Sequence, residues 1–168
     1  RQGAPAHDLG AVDVPKIAVE VCDEFRAPAG ERHLELVTEI DPSVVGTARS
    51  TVDGDRVALR QAAANLLANA VRLAPAESTI TVSTGIDGRF ATLSVSDQGP
   101  GIAPEHRNLV FQRFWRGDAS VARTDGRSGL GLAIVDQIVR DHGGSVQLTE
   151  SGDGGSTFTI RIPLSTPA

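Results

Sequence analysis

Ile17, Val21 and Phe25 recur at four-residue steps, the spacing that lines one face of a helix, and Asp13 with Pro15 supplies its opening, so the pattern predicts a helix through about Ala27. The period then drops to two. Leu34 to Ile40 alternates apolar and polar residues and reads as a strand closed by Asp41-Pro42, with a short extended piece following from about Thr47 to Thr51. Helical spacing returns at Leu59, Leu66, Ala70 and Leu73, behind a cap at Asp53 or Asp55 and ahead of a stop at Pro75. Two strands, Thr79 to Ile86 and Phe90 to Asp97, form a hairpin over Asp87-Gly88-Arg89. Residues 98 to 128 are loop-rich, with one short helix after Pro104 and an aromatic group, Phe111, Phe114 and Trp115. A third helix is expected from Leu130 to Asp141, ended by Gly143-Gly144, and two last strands, Ser145 to Glu150 and Thr157 to Ile162, flank the turn at 152–155. Residues 1 to 11 carry few large apolar side chains and read as a tail or linker, leaving one domain over 12–168. The expected fold is an α/β two-layer sandwich of three main helices on a mixed, mostly antiparallel sheet.

Composition narrows the class. The 168 residues suffice for one domain with its own core. Cys22 stands alone, so no internal disulfide forms. No apolar run is long enough to cross a bilayer and no signal-peptide pattern is present, which predicts a soluble piece. Methionine is absent and position 1 is arginine, which points to a segment of a longer protein. A net charge of −5 argues against a nucleic-acid surface.

Three features carry chemistry. In the strand ending at Asp97, the carboxylate shares parity with Ala91, Leu93 and Val95, so it faces the apolar side, where it must find hydrogen-bond donors. Two donors suit it: the exocyclic amino group of an adenine brought close by the bare backbone of Gly99 and Gly101, or the amides of its own turn. Asn65 and Asn69 stand four residues apart on one helix face, about 6 Å between Cβ atoms, with Arg72 near the same stripe. They are either solvated surface groups or hard oxygen donors suited to Mg²⁺ beside phosphate. Gly129-Leu130-Gly131-Leu132 runs into a helix, offering free amides and the positive end of its dipole to an anion. A Walker loop is excluded, because Lys16 is the only lysine, and the dinucleotide fingerprint fails because Ile134 stands where it needs glycine. His7, His33, His106 and His142 cluster with no acids or cysteine that would suggest zinc, and His142 is most simply a residue near a helix C-terminus, where positive charge is favourable. The aromatic group reads first as an anchor of its loop and second as a docking patch.

Read together from Val12 to Leu164, these segments resemble the catalytic ATP-binding domain of bacterial sensor histidine kinases, in the GHKL superfamily shared with DNA gyrase, a heat-shock chaperone and mismatch-repair ATPases. Asn65 to Arg72 is similar to the N box and Asp97 to Ile102 to the G1 box. Phe111 to Phe114 is similar to the F box, Gly126 to Leu132 to the G2 box, and His142-Gly143-Gly144 through Phe158 to the closing hairpin. The resemblance implies a Bergerat-type fold and a catalytic set of Asn65, Asn69 and Arg72. In that set Asn69 ligates Mg²⁺, while Asn65 and Arg72 sit near the phosphates. It implies that Asp97 binds the adenine amino group, that Gly99 and Gly101 shape the adenine pocket, and that Gly129, Leu130 and Gly131 meet phosphate from a lid spanning about 103–128. It also places Ile102, Phe111, Phe114, Leu132 and Thr157 at the ATP site. Arg127 departs from the glycine usual in the family. No histidine here has the setting of a phosphoacceptor, so the resemblance implies that the acceptor sits on a dimerisation domain outside the chain. The whole protein would then be a membrane-anchored homodimer, with this part cytoplasmic and touching neither membrane nor nucleic acid, that passes phosphate to a response regulator. Three other readings stand beside it: a nucleotide-binding module without chemistry, an anti-sigma serine kinase, and a superfamily ATP hydrolase. The last would carry a water-activating glutamate at position 65, where this chain has asparagine.

Overall fold

The computed structural model describes residues 9–112, 131–150 and 154–166. In chain order the elements are β1 (Leu9–Asp13), α1 (Val14–Glu31), β2 (Glu35–Glu39), β3 (Thr51–Asp55), α2 (Arg56–Leu73), β4 (Thr79–Asp87), β5 (Phe90–Asp97), α3 (Gly131–Asp141), β6 (Ser145–Glu150) and β7 (Ser156–Pro163), with single 3-10 turns at Ala48–Ser50 and Pro104–His106. Five strands form one sheet in the order β2-β4-β5-β7-β6. The β2–β4 pairing is parallel and the other three are antiparallel. The three helices pack on one face. Their inward residues, among them Ile17, Val21, Leu66, Leu67, Val135 and Val139, meet Ile80, Val95, Phe158 and Ile160 of the sheet in a single core. The expected sandwich of three helices on a mixed, mostly antiparallel sheet is what forms.

The caps work as the sequence suggests. Asp13 accepts the amide of Lys16 at 3.1 Å, and Asp55 accepts those of Val57 and Ala58 at 3.0 and 3.2 Å, so Asp55 rather than Asp53 starts α2. Four details differ from the sequence reading. Leu9 to Ala11, placed in the tail, are part of β1, which pairs antiparallel with β3 as a separate two-stranded sheet. These positions are exposed, so their strand character comes from a partner some forty residues away rather than from their own pattern. The piece expected to be extended from Thr47 begins as a 3-10 turn capped by the Thr47 hydroxyl, and the strand starts only at Thr51. Helix α1 runs past Ala27 through Pro28 to Glu31, because Ala29 is buried in the core and packing there outweighs the missing proline amide.

His142 is the fourth. Its Nε2 accepts the amide of Asp55 at 3.0 Å and its Nδ1 meets the carbonyl of Ile138 at 2.7 Å. An Nε2 that accepts leaves Nδ1–H to donate to Ile138, so the ring serves as a hydrogen-bonded link here rather than as a charge at the helix end. The ring lies so close to β3 that a Cβ on Gly54 would meet its Cδ2 at 2.2 Å, so the imidazole joins the end of α3 to the start of α2 through a glycine-sized gap.

Candidate functional site

Along β5 the odd-numbered residues from Ala91 to Asp97 are buried, and the strand delivers Asp97 to the helix-covered face with 4% exposure. Its Oδ1 accepts the amide of Gly99 at 2.7 Å, and the amide of Ser156 on the neighbouring β7 also donates to the carboxyl. Burial pushes the Asp97 carboxyl above its ordinary value, and these two amides draw it part of the way back. Two amides leave a carboxylate with unused lone pairs, so the two donors weighed for Asp97 are compatible: the turn fixes the acid, and capacity remains for an incoming N–H.

The turn after Asp97 is held from three sides. A Cβ on Gly99 would meet Asp97 Oδ1 at 2.8 Å and the carbonyl oxygen of Leu73, at the end of α2, at 3.2 Å. Gly101 has φ +73°, and a Cβ there would meet the carbonyl oxygen of Gly154, before β7, at 2.5 Å. Gln98 points back, its Oε1 accepting the amide of Thr79 at 2.7 Å. The missing side chains let the turn close against the end of α2 and the segment before β7. Replacing Gly101 with alanine is expected to destabilise the domain by about 1 to 2 kcal/mol from the left-handed backbone alone. Crowding against Gly154 would also part the turn from β7 and weaken nucleotide binding. Thermal unfolding together with titration of an ATP analogue checks both effects.

Helix α2 brings the amides to the same place. Asn69 is 8% exposed, which removes it from the class of solvated surface amides, and its Oδ1 accepts Nη2 of Arg72 at 2.8 Å. Asn65, only partly buried, donates from Nδ2 to the carbonyl of Gly131 at 3.4 Å, tying the first residue of α3 to α2. Asn65, Asn69, Arg72, Asp97, Gly99, Gly101 and Gly131 are thus drawn around the C-terminal half of α2. Ile102 and Leu132 are half-buried against the core beside them. Among the described residues no cluster of three or more His, Cys, Asp or Glu could cage a metal ion. A hard cation here would have the Asn69 oxygen as its protein ligand and take the rest of its oxygens from phosphate and water, the mode that suits Mg²⁺.

Two expected site residues sit elsewhere. Thr157 belongs to the outward parity of β7, where its hydroxyl bonds that of Ser96 at 2.7 Å, so it turns away from Asp97. The hydroxyl-bearing residue on the Asp97 side is Ser156, 5% exposed and directly opposite Asp97 in register. The signal was available in the sequence: Phe158, Ile160 and Ile162 point inward, and Ser156 shares their parity. Phe111 packs edge-on against Phe158, centroids 5.9 Å apart at 86°, and so anchors its segment to the core. Phe114, Gly129 and Leu130, with Trp115, Arg127 and the expected lid beyond residue 112, lie outside the described residues.

The family model for histidine kinase-, DNA gyrase B- and HSP90-like ATPases matches residues 54–166. A Mycobacterium tuberculosis protein named sensor-like histidine kinase SenX3 is 36% identical over 152 residues, 90% of this chain and 36% of that protein. The chain thus spans just over a third of the length of such curated relatives. Among solved structures, one described as mycobacterial sensor histidine kinase MprB aligns with a TM-score of 0.76 at 31% identity, covering 92% of this chain and 97% of that one. Full-length ShkA in complex with AMPPNP aligns at 0.78 and 29%, covering 99% of this chain and 33% of that one.

Proposed function

This chain belongs to the histidine kinase-, DNA gyrase B- and HSP90-like ATPase family and is an ATP-binding catalytic domain of its sensor histidine kinase branch, and from that premise we propose that it presents the γ-phosphate of Mg²⁺-bound ATP to a histidine on a dimerisation domain outside these 168 residues. The observation that carries the reading is the buried Asp97 carboxylate, fixed by Gly99 and Ser156 yet with acceptor capacity left, set against the end of α2 where Asn69 and Arg72 meet. AMPPNP is an ATP analogue, and its presence in the ShkA structure supports adenine nucleotide at the corresponding place in this chain.

Each group has a task that its surroundings allow. Asp97 accepts the adenine amino group, and Gly99 and Gly101 let the ring lie on backbone. When bound, Mg²⁺ supplies neutralisation of phosphate charge. Asn69 is the protein oxygen that holds it, and this requires the Arg72 guanidinium to move from Asn69 Oδ1 toward phosphate, where a planar cation is well matched. Asn65 holds the start of α3, and with an amide in place of a carboxylate it offers no general base to water, which favours transfer over hydrolysis. Positioning and charge neutralisation account for most of the catalysis in phosphoryl transfer, so a separate acceptor domain can supply the nucleophile. By the same reading the whole protein is a homodimeric sensor anchored in the membrane. This domain is cytoplasmic, and phosphate passes on to an aspartate of a response regulator. Among the described residues no helix is long and apolar enough to cross a membrane.

Incubated alone with radiolabelled ATP, the chain is expected to stay unlabelled. With the dimerisation helices of its full-length protein added in trans, it is expected to label a histidine there, giving an acid-labile, base-stable phosphoramidate. The trans reaction is slow because the effective concentration of a tethered acceptor is missing. Strong self-labelling of the isolated chain would refute the proposal, and labelling on serine would move it to the anti-sigma kinases.

A further inference from the structure

Arg32, which no motif singled out, lies at the C-cap of α1, yet its guanidinium crosses to another helix. Nη1 donates to the carbonyl of Val71 and, at 3.1 Å, to that of Arg72. These are carbonyls of the last turn of α2, which the helix itself leaves without partners. The amide of Ala74 takes the preceding carbonyl, Ala70, at 2.8 Å, and the following one, Leu73, faces Gly99. One guanidinium therefore holds the stretch of backbone that carries the proposed metal and phosphate residues. The connection is short. Arg32 fixes the backbone of Arg72, and the side chain of Arg72 reaches back to Asn69 Oδ1 at 2.8 Å.

The charge matters as much as the geometry. The last carbonyls of α2 carry the negative end of its dipole. A cation bonded to those carbonyls offsets that partial charge, and Nη1 alone serves two of them, Val71 and Arg72. We propose that Arg32 is a positioning residue for the nucleotide site, setting the last turn of α2 so that Asn69 and Arg72 can engage Mg²⁺ and phosphate together; the proposal rests on the Mg²⁺–ATP reading of that site. It touches neither nucleotide nor metal, so its effect falls on the metal-dependent part of binding rather than on the adenine contact.

Titration calorimetry of the parent, Arg32→Met and Arg32→Lys against AMPPNP with and without Mg²⁺, and against adenosine, separates the roles. Arg32→Met is expected to lose about 10- to 100-fold of the affinity gained on adding Mg²⁺, the range typical for groups that orient a metal ligand. Adenosine binding should stay at the parent level, and Arg32→Lys should recover part of the gain through a single carbonyl contact. Arg32→Gln, a neutral donor, replaces the methionine variant if that one does not fold, with the same expected loss. A variant that tightens with Mg²⁺ as the parent does would overturn the role of Arg32, as would equal losses for adenosine and AMPPNP, which mark general loosening of the fold. If the parent itself shows no gain with Mg²⁺, the metal–nucleotide reading fails and the role of Arg32 fails with it.

Discussion

Asp97→Asn is expected to give a folded protein that binds adenine nucleotides about 10- to 150-fold more weakly, the loss of one charge-assisted hydrogen bond of about 1.5 to 3 kcal/mol. Guanine nucleotides, which offer no amino donor in that position, should bind with little change. The buried setting of Asp97 adds a pH signature. Burial raises its carboxyl above the unfolded value, so the acid takes up a proton more readily in the ligand-free fold than in the unfolded chain. The stability linked to that proton is complete below the unfolded value and is lost as pH rises through the folded one, so the parent gains stability relative to Asp97→Asn on acidification. Nucleotide binding runs the other way, because the adenine amino group needs the acceptor. Affinity in the parent should fall as pH drops through the raised value, and that trend should vanish in the variant. Calorimetric titration of AMPPNP at neutral and acidic pH, paired with thermal unfolding, reads both trends. Equal ATP affinity in a folded Asp97→Asn protein would remove Asp97 from the site.

Asn69→Ala should abolish the tightening of nucleotide binding by Mg²⁺ while leaving the weaker, metal-independent adenine contact. The proposed oxygen ligand of the cation would be gone, and among the described residues no cluster of acids stands by to replace it. Labelling of the dimerisation helices in trans should disappear with it. Asn69→Asp keeps an oxygen at the same position and should retain the metal dependence. That comparison separates loss of a ligand from damage to a residue that is 8% exposed in the core-facing side of α2. Unaltered Mg²⁺ dependence in Asn69→Ala would make the buried amide a structural one, held by Arg72 for the sake of the helix end.

What the sequence displayed was local and periodic. Ala91, Leu93, Val95 and Asp97 alternate so regularly that the inward aim of the acid follows from counting. The four-residue spacing of Asn65 and Asn69 likewise put both on one flank of α2. Pairing at a distance left no such trace. Leu9 to Ala11 carry no strand pattern of their own and become one only against Thr51 to Asp55. Beginning β7 at Thr157 instead of Ser156 was enough to hide the hydroxyl that shares the Asp97 side, because one residue of strand reverses which face a side chain takes. Arg32 was invisible for a different reason: its partners are backbone carbonyls, which carry no residue identity to match.

The engagement of His142 bears on where phosphate can go. An imidazole attacks phosphorus through an unshared nitrogen pair, and the only such pair on His142 is committed to the Asp55 amide while the other nitrogen's hydrogen is committed to Ile138. To act as a nucleophile the ring would have to give up the bond that ties the end of α3 to the start of α2. The histidine just past the end of α3 is thereby occupied in holding the fold together, which agrees with the proposal that the phosphoryl acceptor lies outside this chain.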